Sequence, residues 1–90
     1  MIKYEIIPTS SFKSDFKTCS KRRYKMDLLY EVIDNLSKGI KLEPKYRDHA
    51  LSGQYDSFRE CHILPDWLLI YKIKNNTLYL YRLGTHSDLF

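Results

Sequence analysis

Between Gly53 and the carboxyl terminus, three runs rich in aromatic and branched residues are joined by links too short to hold a helix. The runs extend from about Tyr55 to Ile63, from Trp67 to Ile73 and from Thr77 to Leu83, with Leu64-Pro65-Asp66 and Asn75-Asn76 between them. Such runs favour strands. A link of two or three residues reverses the chain, whereas a parallel crossover needs a dozen or more. The pattern therefore predicts an antiparallel up-down-up meander, with Asn75-Asn76 tolerating the positive φ of a hairpin turn. In that topology the end of the first run, the start of the second and the end of the third share one edge. His62, Asp66, Trp67 and His86 should meet there.

The first half of the chain reads differently. Ile2 to Ile7 alternates loosely and stops at Pro8, as a short strand would. Thr9, Ser10 and Ser11 offer N-cap oxygens, and Phe12, Phe16 and Cys19 then fall on one helical stripe. Lys13, Lys17 and Lys21 repeat on an adjacent face, giving a basic amphipathic helix. From about Lys25 a second helix is set by Leu29, Val32, Ile33 and Leu36, with Gly39 placed to end it. Ile40 to Gln54 lacks a sustained period and reads as a long loop, of a length that in compact domains is usually functional or disordered. The class is α+β: an N-terminal strand, two helices and a twisted antiparallel meander. Residues 1–90 form one domain, because a chain of 90 residues buries only about 60 to 65% of its unfolded surface and has no room for a second core.

Composition narrows the function. The longest apolar run, Trp67 to Tyr71, is far below the roughly 18 residues of a membrane span. The opening Met1-Ile2-Lys3-Tyr4-Glu5 lacks the pattern of a signal peptide. The expected location is the cytoplasm, with no membrane partner, and Cys19 and Cys61 are expected as reduced thiols. The net charge of +4 is regional: the first 25 residues carry seven Lys or Arg against two acids, and the rest of the chain totals −1. Lys13, Lys17, Lys21, Arg22, Arg23 and Lys25 thus form a basic surface suited to RNA or to an acidic protein, and equally to plain solvation. Metal ligation is not expected from Cys61, His62 and Asp66, because strand neighbours point to opposite faces and no paired-cysteine or i, i+4 histidine spacing occurs.

His49 precedes a strand that starts at the opposite edge, so the meander does not place it with the other histidines. The five residues before Tyr55 reach up to roughly 17 Å, which allows convergence without requiring it. Imidazoles act as base or acid near neutral pH. A cluster of them with a carboxylate fits metal-free RNA cleavage, in which one group deprotonates the ribose 2′-hydroxyl and another protonates the departing 5′-oxygen. Arg82, Arg59, Arg47 and Lys45 are candidate phosphate contacts on charge alone. Tyr79 and Tyr81 could stack bases or cover a small core, and Trp67 could anchor the core or touch RNA.

Three segments, "KYRDHALSG", "RECHILPDWLLIY" and "RLGTHSDLF", resemble the motifs of the YafQ-like branch of the RelE/ParE toxin superfamily, and the likeness extends over nearly the whole chain. The resemblance implies a RelE-like fold and the toxin of a type II toxin–antitoxin system. It implies a metal-independent endoribonuclease without a cofactor that enters the A site of the bacterial 70S ribosome and cleaves mRNA. A cognate antitoxin, expected to be a ribbon-helix-helix protein with an acidic neutralising segment, would hold it inactive and would carry any contact with operator DNA. By the same resemblance His49 is the candidate general base and His86 the general acid, and His62 and Asp66 orient phosphate or share in proton transfer. Trp67 and Phe90 contact substrate, with Phe90 stacking on a base and Ser87 and Asp88 keeping the tail's shape. The basic first helix would meet ribosomal RNA or the antitoxin. Two rival functions are a gyrase-poisoning member of the superfamily, which needs no histidine set, and a basic protein- or RNA-binding module.

Overall fold

In the computed structural model, which describes residues 3–90, two helices cover one face of a five-stranded sheet and leave the other face to a small cluster built largely from the meander. Met1 and Ile2, where the first strand was expected to begin, lie outside the described residues. The elements are β1 (Glu5–Pro8), α1 (Ser10–Lys21), α2 (Met26–Ser37), β2 (His49–Ala50), β3 (Arg59–Leu64), β4 (Trp67–Lys74), β5 (Thr77–Gly84) and α3 (His86–Leu89). Thr9 caps α1 by accepting the Phe12 N–H. Gly39, at φ +72°, follows α2 and gives its N–H to Leu36, a left-handed position that favours glycine.

The meander forms as the short links require, with β3, β4 and β5 antiparallel in sequence. The sheet as a whole is not antiparallel. The order is β1-β5-β4-β3-β2, and β1 runs parallel to β5, with Glu5 opposite Thr77 and Pro8 opposite Leu80. The two helices supply the long connection that such a return to the sheet demands. The segment 40–54 is also more ordered than a plain loop. It holds one 3-10 turn over Pro44–Tyr46, the edge strand β2 and the start of a second turn over Gly53–Tyr55. That second turn, followed by Ser57 at φ +72°, delays β3 to Arg59 instead of Tyr55.

The main core joins Phe12, Cys19, Leu29, Val32 and Leu36 of the helices to Cys61, Ile63, Leu69, Tyr71, Leu78, Leu80 and Leu83 of the sheet. On the opposite face Leu68, Ile70 and Leu89 pack with Leu51, Tyr55, Phe58 and Tyr81. Strand β4 is therefore covered on both faces, which explains why Trp67 to Tyr71 is continuously apolar and not alternating. Cys19 and Cys61 are unpaired and buried, and burial pushes both thiols above their ordinary range, so they stay protonated.

Candidate active site

The edge where β3 ends, β4 begins and β5 ends gathers His62, Asp66 and His86, as the meander dictates. The rings of His62 and His86 lie 5.8 Å apart. His49 joins them through β2: it pairs directly opposite Glu60, and its ring is 6.2 Å from that of His62, two residues further along the same strand face. The three imidazoles thus form a row.

Each imidazole is oriented by a distinct partner. The His86 Nδ1–H donates to Asp66 Oδ1 at 2.6 Å, and the His86 backbone N–H donates to the same oxygen at 2.9 Å. That backbone bond, more than the side-chain bond, holds the Asp66 carboxyl below its usual range. His49 Nδ1 lies 2.6 Å from the Arg47 carbonyl, and His62 Nδ1 lies 3.2 Å from the Pro65 carbonyl. A carbonyl only accepts, so the proton of a neutral ring sits on Nδ1 in both, and each Nε2 turns toward the Glu60 carboxylate, at 3.6 Å from His49 and 3.3 Å from His62.

Behind His49 stands a fixed cluster. Asp48 Oδ1 accepts from the buried Tyr71 hydroxyl at 2.5 Å and from Arg59 Nε at 3.2 Å. Burial first, and then the Asp48 carboxylate, push the Tyr71 hydroxyl up, so it stays a donor. Arg47, in the left-handed region at φ +47°, turns the chain from the Pro44–Tyr46 turn into β2.

The tail is built with equal care. Thr85 caps α3 by accepting the Asp88 N–H, and Asp88 in turn accepts the Thr85 N–H. Arg22, at the end of α1, donates to Asp88 at 2.8 Å. The Arg22 guanidinium, followed by the Thr85 N–H, holds the Asp88 carboxyl down at about 2. The Tyr55 hydroxyl reaches the Leu89 carbonyl at 3.3 Å, and its ring meets Phe90 edge-on at 5.5 Å. Phe90 remains 61% exposed at the rim.

Several expected contacts are placed otherwise. Trp67 is only 1% exposed, lies against the ring of Tyr24 at 4.9 Å and cannot present a face to RNA; it is a core residue beneath the site. Arg82 is held in a two-pronged pair with Asp15 at 2.7 and 3.2 Å, and Arg59 with Asp48, so both charges are already engaged. Arg22 is likewise committed to Asp88. Arg47 and Lys45 line a cavity of about 410 Å³ that reaches His62 and Pro65. Lys13, Lys17, Lys21 and Arg23 are exposed along and just beyond α1. Sequence reasoning missed Glu60, Asp48, Tyr55 and Asp15. Only Glu60 carried a signal, its position two residues before His62 on the same strand face. Among the described residues, no group of three or more His, Cys, Asp and Glu side chains is arranged to hold a metal ion.

Known proteins resemble this chain in sequence and in shape. The Escherichia coli K12 protein named mRNA interferase toxin YafQ is 35% identical over 91 residues, covering 100% of this chain and 99% of its own. The E. coli DinJ-YafQ toxin-antitoxin complex contains a chain 34% identical, with TM-score 0.91 and 99% coverage of both chains. A copper-bound mutant toxin from Helicobacter pylori is 42% identical, with TM-score 0.92 and full coverage of both chains. Residues 4–90 match the family model described as a bacterial toxin of type II toxin-antitoxin system, YafQ. The chain belongs to the YafQ family of toxins of type II toxin–antitoxin systems.

Proposed function

We propose that this toxin is an mRNA interferase that cuts mRNA in the A site of the ribosome by acid–base catalysis, with the ribose 2′-hydroxyl as nucleophile. The observation that carries this reading is the row of three imidazoles whose last member, His86, is held by Asp66 through two bonds to one oxygen. His49, with Nδ1 committed to a carbonyl, offers Nε2 to take the 2′-hydroxyl proton. The 2′-oxygen then attacks phosphorus, a 2′,3′-cyclic phosphate forms, and His86 gives a proton to the leaving 5′-oxygen while Asp66 steadies its charged form. His62, between the two, faces the phosphate.

Phe90, exposed at the rim and propped by Tyr55, stacks on a base of the mRNA. Lys45 and Arg47 meet backbone phosphate from the adjoining cavity. Arg82, Arg59 and Arg22 act one step back, as the counter-charges that fix α1, β2 and the tail. Lys13, Lys17, Lys21 and Arg23 face ribosomal RNA or the acidic segment of a ribbon-helix-helix antitoxin in the bacterial cytoplasm, and operator DNA is met only through that antitoxin. Partnership with an antitoxin is supported by the DinJ-YafQ complex of the E. coli relative.

Toeprinting of a translated mRNA tests the proposal. Wild type should yield codon-positioned cuts, and His86→Ala should slow cleavage by about 10² to 10⁴-fold. Equal cutting by both would remove His86 from the role of acid, and an absence of cuts with wild type would remove the function.

A further inference from the structure

Glu60 is 5% exposed, and its carboxylate sits between two imidazoles: Oε1 is 3.3 Å from His62 Nε2 and 3.6 Å from His49 Nε2. Among the described residues no Lys or Arg lies within ion-pair distance of it. A buried carboxylate without a partner is costly. Both rings, however, have their Nδ1–H committed to carbonyl oxygens, of Arg47 and of Pro65. A neutral imidazole carries one N–H, so a neutral His49 or His62 would turn a bare lone pair toward Glu60. Lone pair against carboxylate is repulsive, and one further proton relieves the conflict at one of the two rings.

We infer that Glu60 is a positioning residue that holds this extra proton on His62 Nε2 and thereby leaves His49 Nε2 free as the base. His62 is favoured over His49 because it is nearer and because its side chain is 12% exposed against 49%, so water can solvate His49 Nε2 but hardly His62 Nε2. When His49 takes the 2′-hydroxyl proton, the same carboxylate, 3.6 Å away, stabilises the imidazolium that forms. The other charged groups around His62 are His86, whose own partner is Asp66, and Glu31, Lys45 and Arg47 on the wall of the adjoining cavity. Lys45 and Arg47 oppose the extra proton and Glu31 favours it, all from outside ion-pair distance.

The catalytic consequence rests on the ribonuclease reading, but the protonation pattern does not. Two-bond ¹H–¹⁵N correlation spectra of the folded wild-type protein at pH 7 should show His62 with both nitrogens protonated and His49 as the neutral Nδ1–H form. A neutral His62 with a bare Nε2 overturns the inference with no variant needed. In Glu60→Gln the carboxylate charge is gone, so the second proton should leave His62 and its spectrum at pH 7 should become that of the neutral Nδ1–H form. The His86 correlations should be unchanged. Ribosome-dependent cleavage by Glu60→Gln should lose about tenfold or more in kcat with KM little changed. A His62 that stays doubly protonated in Glu60→Gln assigns the proton to another cause and overturns the role of Glu60. If wild type failed to cut mRNA, the spectra would still decide the protonation question.

Discussion

At the scale of single residues, the proposed function separates groups expected to touch substrate from groups that hold others in place. Trp67 belongs to the second kind. Its indole N–H is buried with only the Cys19 sulfur as a weak neighbour, so Trp67→Phe removes volume and no strong hydrogen bond. The expected cost is about 1–2 kcal/mol in urea unfolding, with cleavage kept within about threefold. Lost cleavage at unchanged stability would return Trp67 to the RNA surface. Phe90 is the opposite case. At 61% exposed it adds little to the core, and base stacking is worth about 1–3 kcal/mol. Phe90→Ala should therefore slow cleavage by about 5 to 150-fold with a melting temperature unchanged within about 1 °C. His62, Asp66 and His86 were legible in the sequence because short links fix which strand ends coincide. Glu60 was not, since its importance depends on His49 arriving opposite it.

At the scale of elements, α3 is instructive because a four-residue helix has no stability of its own. It is held by the capping box of Thr85 and Asp88, by Arg22 of α1 and by the Tyr55 hydroxyl. Gly84 makes the close approach feasible: a Cβ there would lie 2.8 Å from the Asp88 Cβ and 2.9 Å from a carboxylate oxygen. Gly84→Ala should force Asp88 away, cost about 1–3 kcal/mol, and reduce cleavage beyond the loss of folded protein, because His86 rides on the same turn. Comparing kcat per folded molecule with a denaturation curve separates the two effects. Cleavage falling only in proportion to folded protein would show that the tail does not depend on this contact. Strand β2 is the second such element. Two residues long, it is anchored by Asp48 bonding to Tyr71 and Arg59, and nothing in the local pattern of 40–54 announced it.

At the scale of the whole molecule, the carboxylates that fasten the tail set its acid limit. Asp66 and Asp88 both ionise below the ordinary carboxylate range when folded, Asp88 at about 2. The stability they contribute is therefore complete above that ordinary range and is lost as pH falls through the folded values. The Arg22–Asp88 pair contributes only modestly, because Arg22 is 44% exposed and solvent screens it. The protection of the amides of residues 85–90, measured against their intrinsic exchange at each pH, should hold from neutral pH to about 4 and fall toward 2, whereas Arg22→Ala should move that loss up toward about 4. No upward movement would detach Asp88 from Arg22. What the sequence determined by itself was the α+β class, the antiparallel meander, both helices and the meeting of His62, Asp66 and His86, because apolar period and link length are local properties. The parallel docking of β1, the arrival of His49, the burial of Trp67 and the capture of Arg22, Arg59 and Arg82 by Asp88, Asp48 and Asp15 were decided only by the tertiary structure. Each is a choice of partner among groups far apart in the chain, settled by which surfaces the core brings together, and a linear pattern does not carry that information.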